Sequence, residues 1–319
     1  MCRNESSSIK RTGVGGGLFV LTFLLPSGTL VAWNVPGHMV TAAIAYKELK
    51  AADPEALAKV IALLHDHPDF DEHWKNLVED PDISAEEHDA RLFMLAARWP
   101  DDVRETSQHR ETWHYINLPY KPAAPIEPSP PSGGPANNIV AAFRRNVTIL
   151  ESDQNPGKRA KALSWIFHLI GDIHQPLHAA ALVTEQFPEG DRGGTLFQVR
   201  EWPTSSSIKL HYFWDDLVFN STRFNKVREE ADRLVSKAEH QRSALPELSE
   251  DSFAAWTKES FRLAVSEAYR NGTVKGTATD DEEEGEILPE DYRPKTTPVA
   301  QRRAVLAGYR LADLLKKTF

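Results

Sequence analysis

Thiols are nearly absent. The chain of 319 residues contains one cysteine, Cys2, at its extreme N-terminus. A fold stapled by disulfides is excluded, and so is a thiolate-rich zinc site of the structural kind. Stability has to come from core packing or from bound metal. Blocks of basic residues are missing too. With 46 acidic residues against 37 basic ones and a net charge of −9, nothing suggests a cation-coated surface that wraps nucleic acid. An acidic protein that acts on a polyanion must neutralise phosphate in another way, and bound cations are the obvious means. Strand signal is weak and confined to residues 193–202 (GGTLFQVREW), and there is no internal repeat.

What the chain does have is apolar and helical. Hydrophobic residues make up 41% and tryptophans number 8, enough to bury a substantial core. The N-terminus reads as an export signal. Arg3, Lys10 and Arg11 precede the apolar stretch GVGGGLFVLTFLL, and a cut after Ala32 follows SGTLVA. That apolar run is short and broken by Gly, Pro and Ser, which argues against a membrane span. Removing residues 1–32 deletes three basic residues and Glu5, so the charge moves from −9 to −11.

From Trp33 onward, apolar residues recur at helical spacing in most segments. AAIAYKELKAADPEALAKVIALLHDHP gives two helices broken at Asp53-Pro54, with Asp53 as a natural N-cap. HDARLFMLAARWPDDV, NNIVAAFRRNVTILES, RAKALSWIFHLIGDIHQ, SFAAWTKESFRLAVSEAYR and VAQRRAVLAGYRLADLLKK add five more. Two stretches read as loop, the Pro-rich 118–138 and the acidic 279–298. Neither is flanked by a change of composition, so one mainly α domain over 33–319, with a short β ribbon, is the economical reading.

Within the helix WIFHLIGDIHQPLH, His168 and Asp172 stand at i and i+4 and share a face. Pro176 then ends the helix and turns His178 back toward the same region. LHYFWDD repeats the spacing with His211 and Asp215. One such pair is more often a plain hydrogen bond, but two pairs embedded in aromatic residues favour a metal, and imidazole with carboxylate suits zinc. Asp101 in RWPDDVR, His114 in TWHYINLP and His38 in WNVPGHMV are further candidates. A cut after Ala32 gives Trp33 a free α-amino group, which can chelate an ion together with its own carbonyl.

The ordered set W-x4-H, W-x-D-x2-R, W-H-Y-I, H-L-I-G-D-I-H-Q-P-L-H, G-D-R-G-G and L-H-x3-D, spread from Trp33 to about Lys317, resembles the zinc-dependent S1/P1 nucleases. Their superfamily includes bacterial zinc phospholipase C, whose helical fold the resemblance implies here. It implies three zinc ions. Asp101, His114, His168 and Asp172 hold one. Trp33 and His38 hold a second, bridged by Asp172, and His178, His211 and Asp215 hold the third. The implied activity is hydrolysis of single-stranded DNA or RNA to 5′-nucleotides, with 3′-nucleotidase activity, by attack of a zinc-bound hydroxide. Arg104 would contact the phosphoryl oxygens, Tyr115 would stack on the base and Asn117 would contact it. The remaining seven of the twelve histidines, His174 among them, are assigned to packing or surface. A secreted or periplasmic location is implied, with no stable protein partner and no membrane insertion after signal removal. A phospholipase C or other phosphoesterase of the same fold is the alternative, and a non-catalytic metal-binding scaffold is a third reading.

Overall fold

The structure is a computed structural model describing residues 1, 33–79, 81–124, 137–278 and 284–319. The export-signal expectation falls on residues 2–32, outside the described residues. In chain order the elements are α1 (Val35–Ala52), α2 (Pro54–His65), α3 (Lys75–Val78), α4 (Ala85–Asp102), β1 (Leu118–Tyr120), α5 (Ile139–Ser152), α6 (Pro156–His174), β2 (Ala180–Leu182), β3 (Phe197–Arg200), β4 (Ile208–Lys209), α7 (Leu210–Asp215), α8 (Phe224–Ser236), α9 (Phe253–Leu263), β5 (Thr277–Ala278), β6 (Glu286–Ile287) and α10 (Tyr292–Thr318). The fold is mainly α, as the helical spacing predicts.

The helix boundaries follow local chemistry. Asp53 closes α1 and opens α2, its carboxylate accepting from the Ala56 N–H at 3.0 Å, with Pro54 in the first turn where a missing N–H costs nothing. Asn34 caps α1 by accepting from Gly37 N at 2.9 Å, while its amide donates to Asp216 Oδ1 at 2.9 Å. That double role ties the first turn of α1 to the residue just after α7. A cap of this kind contributes about 1 kcal/mol.

Helices α1 and α6 are the centre of the molecule. The first packs on α4, α8 and α10, and the second on α4, α5 and α10. Every residue from 162 to 182 is buried. That is why α6 shows no polar face from Ala162 onward: this part of the helix is enclosed on all sides.

Three expectations need correction. Strands are not confined to residues 193–202. β1 pairs in parallel with β2, and β3 of the expected ribbon is joined by β4, β5 and β6. Strands of two or three residues carry no alternation long enough to read. The acidic stretch 279–298 is not all loop, since α10 begins at Tyr292 and runs through Pro298. The Tyr292 hydroxyl donates to Ala268 O at 2.6 Å and accepts from Trp214 Nε1 at 3.0 Å, which anchors the first turn of α10 ahead of Pro298. The Pro-rich stretch begins as β1, and its residues 125–136 lie outside the described part. In addition, α9 does not run regularly to Arg270. It widens into a π turn over Ala264–Ala268, closed by Tyr269 N to Ala264 O at 2.8 Å.

Candidate metal centre

Three elements converge on α6. His168 and Asp172 leave it on one face, His38 comes from the first turn of α1, and Asp101 from the last turn of α4. His114 ends a short 3-10 turn, Glu111–His114. Asp172 is the hub. Its Oδ1 is 3.2 Å from His38 Nε2, and its Oδ2 is 3.0 Å from His114 Nδ1 and 3.3 Å from His168 Nε2. His168 Nε2 lies 3.5 Å from Asp101 Oδ1 and 3.0 Å from His114 Nδ1. His38 stacks on His168 with ring centroids 3.8 Å apart, which needs a glycine opposite: a Cβ on Gly171 would stand 2.6 Å from His38 Nδ1.

A second group joins His178, His211 and Asp215. The parallel pairing of β1 with β2 brings it alongside the first, because the chain after His114 runs beside the chain after His178. Ile116 N donates to His178 O at 2.8 Å, and His178 Nδ1 donates to His114 O at 2.6 Å. On α7, His211 Nε2 is 3.7 Å from Asp215 Oδ2.

Backbone carbonyls determine which ring nitrogen faces each group. A carbonyl can only accept, so the nitrogen opposite it carries the proton. His168 Nδ1 donates to Ala97 O at 2.8 Å, and His211 Nδ1 to Gly193 O at 2.7 Å, as His178 does to His114. All three therefore turn an unprotonated Nε2 toward the groups, the orientation that hydrogen-bond partners on the other ring nitrogen impose on metal ligands. Gly193 sits at φ 62° in the turn that supplies its carbonyl, and a Cβ there would strike the Leu177 carbonyl.

Burial makes these groups incompatible with their own charges. It pushes Asp172 and Asp215 far above the usual carboxylate range, with Asp101 adding to the effect at Asp172. It pushes His38, His114 and His178 far below the usual imidazole value and His168 down to about 4. Buried polar atoms without a hydrogen-bond partner are concentrated here: His38 Nε2, Asp101 Oδ2, His114 Nε2, Asp172 Oδ1, His178 Nε2 and Asp215 Oδ2. Each such atom costs about 1–3 kcal/mol. Lone pairs and carboxylate oxygens converging in this way fit divalent cations, which remove the penalty at a stroke.

The family described as S1/P1 Nuclease matches residues 33–319. Endonuclease 1 of Arabidopsis thaliana is 24% identical over 90% of this chain and 87% of its own length. Endonuclease 4 of the same plant is 27% identical over 69% of this chain and 75% of its own. Nuclease S1 of Aspergillus oryzae is 23% identical, again over 69% of this chain and 76% of its own length. The chain belongs to the S1/P1 nuclease family. Proteins with these names are hydrolases acting on phosphodiester bonds.

The other expected site residues of this S1/P1 family chain are placed as follows. Arg104 is half-buried and donates to Asp101 Oδ1 through Nε at 3.0 Å and Nη2 at 2.5 Å. Its charge opposes the upward shift of both Asp172 and Asp215. Tyr115 and Asn117 are half-buried on the segment between His114 and β1, outside the apolar core. Trp33 is fully buried beside Gly37, four residues before that glycine and five before His38. His174 is a packing residue: its Nδ1 donates to Ile170 O at 2.7 Å and its Nε2 accepts from Arg310 at 2.8 Å.

Two features escape a reading by residue type. Gln175 donates to Asp215 Oδ1 at 2.8 Å and accepts from Leu177 N at 2.6 Å, holding the carboxylate and the His178 turn together. Its place between two histidines in HQPLH is the only hint. The carbonyls of Ala97, His114 and Gly193 leave no trace in the sequence at all. Among the described residues no helix is long and apolar enough to cross a membrane.

Proposed function

We propose that this chain is an exported, zinc-dependent endonuclease that hydrolyses single-stranded DNA and RNA to 5′-nucleotides and also acts as a 3′-nucleotidase. The observation that carries the reading is the pair of adjacent, buried His/Asp groups, their open atoms aimed inward and Arg104 bonded to Asp101 at the edge of one of them. In this reading Asp101, His114, His168 and Asp172 hold one zinc, and His178, His211 and Asp215 hold another. Trp33 and His38 hold a third together with Asp172, whose Oδ1 already faces His38.

Zinc, when bound, supplies the Lewis acidity that makes water nucleophilic near neutral pH and offsets negative charge on a phosphoryl group. Arg104 brings a planar fork to the phosphoryl oxygens, oriented by its bond to Asp101. Tyr115 offers a ring on which a base stacks, and stacking of about 1–3 kcal/mol needs an unpaired base, hence a single strand. Asn117, two residues on, donates to and accepts from the base edge.

Residues 1–32 are read as a signal peptide and 33–319 as the enzyme, secreted or periplasmic. The family match beginning at Trp33 supports this division. Cleavage after Ala32 creates the α-amino group that the Trp33 ligand requires. The names endonuclease and nuclease S1 among the relatives favour nucleic acid over a phospholipid substrate.

The test uses protein beginning at Trp33 with its zinc content measured. Incubated with a single-stranded oligonucleotide, it is expected to release 5′-mononucleotides, and a chelator is expected to stop the release. Fully zinc-loaded protein that leaves the strand intact would end this reading.

A further inference from the structure

Of the ordered motifs, G-D-R-G-G alone supplies no proposed ligand. Four of its five residues have left-handed backbone: Gly190 at φ 89°, Arg192 at 53°, Gly193 at 62° and Gly194 at 82°. A run like this persists only where its surroundings over-determine it. The fifth residue, Asp191, is the fixed point. It is fully buried, and its Oδ1 accepts from Leu182 N at 2.8 Å. The N–H groups of Gly193 and Gly194 bond to the same carboxylate. Its own backbone N–H donates to Leu182 O at 3.0 Å, and its carbonyl accepts from Leu196 N at 3.0 Å.

One more donor comes from across the molecule. The buried Tyr269 hydroxyl lies 2.9 Å from Asp191 Oδ2 and 3.0 Å from Oδ1. It follows directly on the π turn that ends α9, and Arg270, Asn271 and Gly272 leave it at φ 45°, 55° and 81°. Irregular backbone on two sides therefore converges on one carboxylate, the kind of local departure that recurs at functional sites.

What the carboxylate holds is part of the metal centre. Gly193 O accepts from His211 Nδ1 at 2.7 Å, and Gly194 O accepts from His211 N at 3.3 Å. Leu182 ends β2, four residues past His178. Asp191 thus locks the strand that follows His178 to the turn that orients His211. We propose that Asp191 and Tyr269 are a positioning pair for the His178–His211–Asp215 group, setting its zinc affinity through the turn. The choice of zinc rests on the function proposed above. A carboxylate serves several donors at once, whereas the amide of Asp191→Asn has one acceptor oxygen and turns an N–H₂ toward donors. Tyr269→Phe removes one donor and leaves the turn its other bonds.

Zinc affinity, read without substrate by competition with a chelator, tests the pair. In Asp191→Asn one of the three ions should be held roughly ten- to hundredfold less tightly and the other two as before, with a smaller change of the same kind in Tyr269→Phe. Tyr309→Phe, which removes a buried hydroxyl bonded to His240 O on the far side of α10, is the control and should leave all three ions unchanged. Cobalt in place of zinc identifies the ion. The difference spectrum between wild type and His211→Ala isolates the band of this group, and Asp191→Asn should shift that band. A loss of general stability would leave the spectrum of the folded protein as it was.

Unaltered affinity and spectrum in both variants overturn the proposal, as does equal loosening of all three ions or an equal effect of Tyr309→Phe. Should Asp191→Asn fail to fold, Tyr269→Phe decides alone by the same readings. Protein that shows the selective loss yet leaves a single strand intact sinks the nuclease reading and not this pair. An active nuclease whose zinc ignores both variants sinks the pair alone, and a wild type that binds no zinc ends both.

Discussion

Gln175 is uncharged and not among the proposed ligands, yet both ends of its amide are committed to the site. By donating to Asp215 it leaves only Oδ2 of that carboxylate open, and by accepting from Leu177 N it holds the turn that presents His178. Partners of this kind typically contribute a factor of about 10–100 in metal affinity. Gln175→Ala should therefore weaken zinc at the His178–His211–Asp215 group by that order while leaving the helical content unchanged. Competition with a chelator of known affinity checks it, and an unaltered zinc affinity would refute the assignment.

At the scale of elements, two helix crossings are as close as backbone allows, and they separate packing from function. Gly171 of α6 faces His38 of α1, and Gly308 of α10 faces Ile44 of α1, where a Cβ would stand 2.6 Å from the Ile44 Cβ. An alanine at either position overpacks the crossing at about 1–3 kcal/mol, offset by up to about 1 kcal/mol from its better helix propensity. Both Gly171→Ala and Gly308→Ala should lower the melting temperature. Only Gly171→Ala pushes an imidazole away from Asp172, so only it should also lose zinc and nuclease activity. If Gly308→Ala abolishes activity to the same degree, the crossing rather than the ligand is what matters.

Taken as a whole, the molecule has an acid limit that its metal ligands do not set alone. His67 is 3% exposed, stacked on Trp74 at 4.2 Å and edge-on to Trp99 at 4.8 Å, with Nδ1 accepting from Asp69 N at 3.1 Å. Burial lowers its pKa to about 3 from an ordinary 6.5, Asp69 opposing the shift and Lys161 adding to it. Below pH 6.5 the unfolded chain takes up a proton that the folded chain refuses until about pH 3. Stability from this residue is thus complete above pH 6.5 and is lost as pH falls through that window, by up to about 1.4 kcal/mol per unit. Between about pH 7 and about pH 5, the wild type should lose about 2 kcal/mol more than His67→Phe. Urea midpoints at the two pH values measure the difference, and parallel losses in the two proteins would show that His67 titrates normally.

The sequence by itself determined most of the long helices, the Asp53 cap between the first two and the candidate ligands. Asp53 before Pro54 marks a helix boundary through local hydrogen bonding, and His168 with Asp172 share a face because the helix repeats every 3.6 residues. Tertiary structure alone decided which segments meet. The pairing of β1 with β2 sets His114 against His178 across 64 residues, and no local period announces strands of three residues. Only the folded chain shows α10 starting at Tyr292, since a buried hydroxyl rather than helix propensity anchors that turn. The same holds for the carbonyls of Ala97, His114 and Gly193, which orient the imidazoles: every residue type carries a carbonyl, so its use leaves no mark in the sequence.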